Sequence, residues 1–341
     1  MFEKRNLRGS AVIIPLTLSI FFCSLTIVSG NQAITERDLE QYKKVIEVNP
    51  KDYEAYYNWG MALSSLGRHE EAVDKYQEAV NINPTYADAY KDWGVALDKL
   101  DKHQEAIEKY RKAVEINPKY AGAYSNWGVA LANLGRYEEA IGKFKKAIKI
   151  NSKQYGAYFN WGEALGKLGR YREAIEKYKK AVEINPKVDM AYFRWGLFLC
   201  KLGRNEEAIE KFKKATELNN NQADAYYGWG VVLSNLGRYK EAIEKYKKAA
   251  EINPENYMGY FYWGVALGRH EELIEHFRKA LEINPKDAEA CYYWALVLED
   301  LGKKEEAKEK LNIAKKLFEE QGRREDLEKI EVLLKEFKAK R

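Results

Sequence analysis

The sequence predicts an all-α chain, a solenoid of tandem helix-turn-helix units, and three observations predict it. Trp59, Trp93, Trp127, Trp161, Trp195, Trp229 and Trp263 stand 34 residues apart, and Trp294 follows after 31. Other residue types recur at fixed places around each Trp. Tyr lies three before it (Cys291 in the last copy), Gly directly after (Ala295 in the last), and an Ala thirteen after, from Ala72 to Ala307 with Leu273 excepted. Lastly, apolar residues fall on helical stripes: Tyr90, Trp93, Leu97 and Leu100, then Ala106, Tyr110, Ala113 and Val114, the spacing of one face of a 3.6-residue period.

Taken in chain order, residues 1–30 differ from all that follows. Lys4, Arg5 and Arg8 precede an uncharged run from Ala11 to Val28, then Ser29 and Gly30; a basic start, an apolar middle and small residues are the order of an export signal. As a helix this run would reach about 27 Å, close to the roughly 30 Å bilayer core. A cleaved signal and a retained membrane anchor therefore both stand. Either sends the repeats out of the cytoplasm, so the expected location is exported, periplasmic or extracytoplasmic. Residues 31–52 read as an N-terminal half repeat, and residues 53–320 as eight units.

Within each unit two helices are separated by Leu-Gly-Arg, as at Leu134, Gly135 and Arg136, where Gly can take the left-handed geometry that ends a helix. Ile-Asn-Pro, as at Ile184, Asn185 and Pro186, closes the second helix, because Pro cannot continue it. The Gly after each Trp and the Ala thirteen later are small where two helices must cross closely. The seventh unit lacks three residues after Leu267, nearly one turn, which predicts an early end to its first helix, a local change of curvature, and Leu273 filling the vacated space. Residues 321–341, with Leu327, Ile330, Leu333, Leu334 and Phe337, read as a capping helix, since units that borrow their core from neighbours need covered ends.

Trp-Gly, Gly-Arg-Tyr, Glu-Glu-Ala-Ile, an aromatic, Ala and Asn-Pro at this period resemble the tetratricopeptide repeat, from residue 53 to about residue 320. The chain departs from the usual pattern by placing Tyr where the family often has Trp, and Trp where it often has Leu, a volume exchange within one core. The resemblance implies a right-handed α-solenoid whose first helices line a concave groove, and a role in holding a protein or peptide.

Composition and chemistry narrow the function classes. Lys and Arg total 57 against 52 Asp and Glu, and without the first thirty residues 54 against 51, too even for a nucleic-acid binder. No enzyme is expected, and no cofactor or metal. His69, His103 and His270 occupy a column that holds Tyr137, Tyr171 and Tyr239 elsewhere, and His276 stands six residues after His270, whereas a zinc-protease motif needs its two His four apart. Cys200 and Cys291 lie three units apart, too far for a disulfide. Glu173 with Lys177 and Glu176 with Lys180 are spaced for i, i+4 pairs on a solvated face.

The candidate partner-binding residues lie on the first helices. Two before each Trp the column runs Tyr57, Lys91, Ser125, Phe159, Phe193, Tyr227, Phe261 and Tyr292, an aromatic ladder from unit four onward that can take apolar side chains of an extended peptide, or simply pack on its neighbours. One before Trp stand Asn58, Asn126 and Asn160, interrupted by Asp92, Arg194, Gly228 and Tyr262. In some family members Asn here grips peptide backbone, since one amide both donates and accepts. A basic clamp for a peptide's terminal carboxylate is matched only by Asn160 and Arg194, with Met190, Ser125 and Val129 in the other places. The wall is patterned in charge: Asp88, Asp92 and Asp98, then Lys167, Arg194 and Lys201, then Glu289, Glu299 and Asp300. The expected function is a non-catalytic scaffold holding a protein or peptide in the groove, meeting a membrane only through its N-terminal segment. Self-association through outer faces or terminal units is the alternative. The recognition arm of a glycosyltransferase is least expected, no catalytic domain following residue 341.

Overall fold

The computed structural model describes residues 36–253 and 269–339, and among them every regular element is an α-helix. The helices are α1 (Glu36–Val48), α2 (Tyr53–Ser65), α3 (His69–Ile82), α4 (Ala87–Lys99), α5 (His103–Ile116), α6 (Ala121–Asn133), α7 (Tyr137–Ile150), α8 (Tyr155–Lys167) and α9 (Tyr171–Ile184). They continue as α10 (Asp189–Lys201), α11 (Asn205–Leu218), α12 (Ala223–Asn235), α13 (Tyr239–Ile252), α14 (His270–Ile283), α15 (Ala288–Asp300), α16 (Lys304–Glu320) and α17 (Arg324–Ala339). Residues 1–35 and 254–268 lie outside the described residues, and with them the N-terminal apolar run, Phe261, Tyr262 and the expected curvature change after Leu267. Among the described residues no helix is long and apolar enough to cross a membrane.

Among the described residues the units are helix pairs, α2 with α3 through α12 with α13 and again α15 with α16, and the second helices α3, α5, α7, α9, α11 and α14 also pack on the first helix that follows them. Successive first helices touch, α2 on α4, α4 on α6, α6 on α8 and α10 on α12, and among the described residues no pair of second helices comes as close. A stack tighter on one side bends toward it, so the first helices form the inner, concave wall. The fold is the α-solenoid that the period implied.

Packing explains the small residues. A Cβ on Gly94 would lie 2.5 Å from the Tyr110 ring, and one on Gly128 2.5 Å from Phe144. The same crossing recurs at Gly60, Gly162, Gly196 and Gly230. The rings they admit, Tyr76, Tyr110, Phe144, Tyr178, Phe212 and Tyr246, are almost wholly buried. Gly135 takes φ 74° at its turn, and unit two makes the same turn with Asp101 at φ 57°, a conformation that costs a residue with a Cβ.

The tryptophans are less deeply placed than their regularity suggests. Trp93 is buried and the other described indoles are half-buried. Each has the Lys sixteen residues later over its ring, from Lys75 over Trp59 to Lys310 over Trp294, with the ammonium between 3.2 and 4.6 Å from the centroid. This is a cation–π column, and the Lys stems cover the apolar face of the indole. Burial pushes the ammonium groups of Lys109 and Lys143 below their ordinary value.

The expected i, i+4 pairs are corrected. Glu173 accepts a two-pronged contact from Arg170, at 2.7 Å on each arm, Glu176 pairs with Lys179 and Lys180 with Glu183, and Lys177 lies 4.1 Å over Trp161. The guanidinium fork matches a carboxylate at both oxygens, so the turn Arg takes the Glu three residues after it. The same Arg–Glu fork opens α3, α7, α11 and α13.

The ends are covered as well. Leu39 of α1 is buried at the start, and Ile330 of α17 is fully buried among Leu327, Leu333 and Leu334 at the end. Leu273 is buried in α14, and the side chain of Phe337 lies outside the described ones.

Candidate functional site

The inner wall changes character along the stack. In its first half, charges are answered within the chain. Asp92 accepts from the Tyr57 hydroxyl at 2.8 Å and pairs with Lys91 at 2.8 Å. Asp88 accepts from the Tyr120 hydroxyl. Asp98 holds His103 Nδ1 at 2.9 Å and accepts from the Tyr110 hydroxyl at 2.7 Å. Burial pushes the Asp98 carboxyl up from its ordinary value, against the pull of those two hydrogen bonds. Burial and Asp92 together push the Tyr57 hydroxyl far up, so it stays a donor. At the border of units four and five, Glu163 accepts from Tyr178 and pairs with Arg194 at 3.3 Å.

A rule joins this wall to the core. Tyr110 finds Asp98, and Tyr246 meets Ser234 at 3.1 Å. Where the wall column holding Asp98 and Ser234 carries Ala132 or Cys200 instead, the core ring is Phe144 or Phe212. A buried hydroxyl needs a partner, so a polar wall residue permits Tyr and an apolar one requires Phe. Tyr178 opposes Gly166 in this column and takes Glu163. Reading these two columns side by side would have revealed the rule from sequence.

Asn58, Asn126 and Asn160 behave differently from the acids. All three are half-buried, and their side chains make no hydrogen bond to other described residues. Their amides remain available to a ligand.

From unit five the wall turns apolar around a cavity of about 690 Å³. Phe193 and Leu197 of α10, Tyr227 and Val231 of α12, and Tyr292 and Leu296 of α15 line it. The rim carries Asp224, Glu289, Arg323, Asp326 and Lys329. Arg323 donates to Glu289 at 2.7 Å and to Asp326 at 2.8 Å, and Lys329 donates to Asp326 at 2.8 Å. Burial works to raise the Asp326 carboxyl, and Lys329 and Arg323 outweigh it, holding it below its ordinary value.

The candidate residues therefore fall into groups. Phe193, Tyr227 and Tyr292 come together in the cavity. Phe193 is only 7% exposed and tilts on Phe212 at 6.1 Å, so much of its surface is already spent in the core. Tyr227 and Tyr292 are half-buried. Phe159 is half-buried outside the cavity, 5.7 Å from the Tyr178 ring. Tyr57 belongs to the acidic cluster of the first units. Arg194 is held by Glu163, and Lys167 and Lys201 are exposed in the last turns of α8 and α10. The charge pattern expected to select a partner is thus largely closed on itself: Glu289 is taken by Arg323 and Asp300 by His270.

Sequence reasoning passed over Leu197, Val231 and Leu296, which stand two residues after each Trp and supply the floor. Cys200 also reaches the cavity, with its thiol pushed by burial to about 11, and Cys291 is buried; both are free. Among the described residues no three His, Cys, Asp or Glu side chains gather as metal ligands.

Comparison with known proteins follows the repeat boundaries. Sequence models described as TPR repeat match residues 60–101, 99–135 and 196–237, and others described as tetratricopeptide repeat match 41–74, 120–187, 223–256 and 259–287. An uncharacterized protein of Methanocaldococcus jannaschii is 46% identical over 43 residues, 13% of this chain and 50% of that protein, so the match spans half the length of this curated relative. Among solved structures, that of Pseudomonas aeruginosa PilF is similar at TM-score 0.55 and 19% identity, covering 62% of this chain and 97% of that one, a likeness of fold. YrrB, described as a TPR protein with an unusual peptide-binding site, matches at TM-score 0.47 and 28% identity, over 54% of this chain and 95% of its own. With the repeat models running from residue 41 to residue 287 on helix pairs of this geometry, the chain belongs to the tetratricopeptide repeat family, whose coarse role is that of a protein-interaction scaffold.

Proposed function

We propose that this chain is a non-catalytic scaffold, exported or anchored by its N-terminal segment, that holds a peptide or protein partner along its concave wall. The cavity lined by Phe193, Tyr227 and Tyr292 carries the reading. A space of this size with apolar walls and a few polar groups at its rim is the usual form of a ligand site, and burying apolar side chains there would drive association. Asn58, Asn126 and Asn160 support the same reading farther along, because free amides on one wall can pair with the backbone of an extended segment. The partner is accordingly a chain with apolar side chains at one end and exposed backbone along the rest.

The test is affinity capture with the full chain and with its Tyr227→Ala, Tyr292→Ala variant, followed by mass spectrometry. Proteins retained by the unaltered chain and lost from the variant are expected. Retention of the same set by both would remove the cavity from the reading. N-terminal sequencing of the mature chain from a cell-envelope fraction tests the export proposal; an intact Met1 in a soluble cytoplasmic fraction would contradict it.

A further inference from the structure

The outer helices carry a second pattern, and it breaks in two places. In α9 the outer positions Glu176, Lys179, Lys180 and Glu183, of which Lys179 is half-buried and the rest exposed, read acid, base, base, acid, and the same four types stand at the matching places of α5, α11, α13 and α14. These helices answer their own charges, as in Lys180 with Glu183 at 2.6 Å, Lys112 with Glu115 at 3.1 Å and Lys214 with Glu217 at 3.3 Å. In α3 the four places hold Asp74, Gln77, Glu78 and Asn81, and in α7 they hold Gly142, Lys145, Lys146 and Lys149. Thus at these four places α3 has lost the bases and α7 the acids. All eight residues are exposed, and none of the charged ones has an ion-pair partner among the described residues.

We propose that these two helix faces dock a second copy of this chain. The helices α3 and α7 lie one unit to either side of α5, whose own charges cancel. A two-fold axis lying along α5, in the plane of the interface, lays the acidic face of α3 of each copy on the basic face of α7 of the other, and α5 on α5. Such an interface is self-complementary and closes at a dimer rather than propagating. Charge of opposite sign on matching patches steers and registers the encounter. The pair would present two concave walls outward, so a partner carrying two copies of its motif is held by both. Exposed charges are screened by salt, with a Debye length of about 10 Å at 0.1 M, so the dimer is salt-sensitive.

Sedimentation of the full chain tests this independently of the groove, because Tyr227→Ala with Tyr292→Ala leaves the outer faces intact. At about 0.02 M salt a dimer is expected, weakening at least about tenfold by about 0.5 M. The variant Lys145→Glu, Lys146→Glu, Lys149→Glu carries two acidic faces and is expected to be monomeric. So is Asp74→Lys, Glu78→Lys, which carries two basic ones. Mixed together, these two variants are expected to form a heterodimer, which also shows that both fold. A monomeric unaltered chain at low salt, a dimer that survives either charge reversal, or two variants that fail to combine would each overturn the proposal. Retention of an anionic molecule on α7 by a chain that stays monomeric would do the same.

Discussion

Asp92 of unit two is held by Tyr57 and Lys91, whereas the matching position of unit six is Gly228, an uncharged residue buried against the Phe212 ring in the cavity lining. The two regions share one skeleton: the same Gly–ring crossings at Gly94 and Gly230, the same Lys over Trp93 and Trp229. They differ in what the first helices turn inward. Units one to four spend Asp88, Asp92, Asp98 and Glu163 within the chain and leave the Asn amides, with Lys167, open. Units five, six and eight leave apolar surface around a cavity. A solenoid can make this separation because each unit is stabilised by its neighbours, so wall residues that touch no core ring can vary without harm to the stack.

The largest expected effect asks which wall aromatics belong to the core. Phe193→Ala should cost about 3–5 kcal/mol of stability, since Phe193 is buried on Phe212, and Tyr227→Ala clearly less, since Tyr227 is half-buried. Urea melts of both variants check it; equal losses would blur the line between packing and recognition. Next, Tyr227→Ala with Tyr292→Ala should weaken partner binding at least about tenfold, or roughly 1.4 kcal/mol. Asn126→Ala with Asn160→Ala should weaken it only about two- to fivefold, as titration of the captured partner would measure. The reverse order would move the site to the first half.

Two smaller predictions concern the shared skeleton. Lys143→Met removes a cation from over Trp127 while keeping the stem length, and should cost about 0.5–2 kcal/mol in thermal melts. No loss would mean that the Lys column only shields the indoles. Asp101→Gly should raise stability by about 0.5–1 kcal/mol, because it relieves a left-handed residue at the one described turn of this type that lacks Gly. A decrease would show that Asp101 is retained for its nearness to His103, 3.8 Å away.

The repeat, its turns and its crossing glycines were legible because packing within a pair fixes residue type at fixed offsets. The inner wall was legible only as a set of columns. That Asp92 meets Tyr57 across 35 residues, or Arg194 meets Glu163 across 31, depends on how one unit seats on the next. An aromatic column cannot tell Phe193, buried on Phe212, from Tyr227, which packs on Tyr246 but is only half-buried; both line the cavity. The cavity itself depends on curvature that brings α15 and α17 round toward α10 and α12. The Lys over each Trp was hidden for a different reason: in sequence Lys75 or Lys143 is one more member of a Lys and Glu run, and only the pairing of helices shows which member leans over an indole.

The comparison between the two regions is tested most directly by photo-crosslinking to the captured partner, with a photoreactive residue placed in turn at Tyr227, at Asn126 and at Lys180 of the outer face. Strong crosslinks from Tyr227, weaker ones from Asn126 and none from Lys180 are the predicted result. Crosslinks chiefly from Lys180, or equally from all three positions, would contradict it.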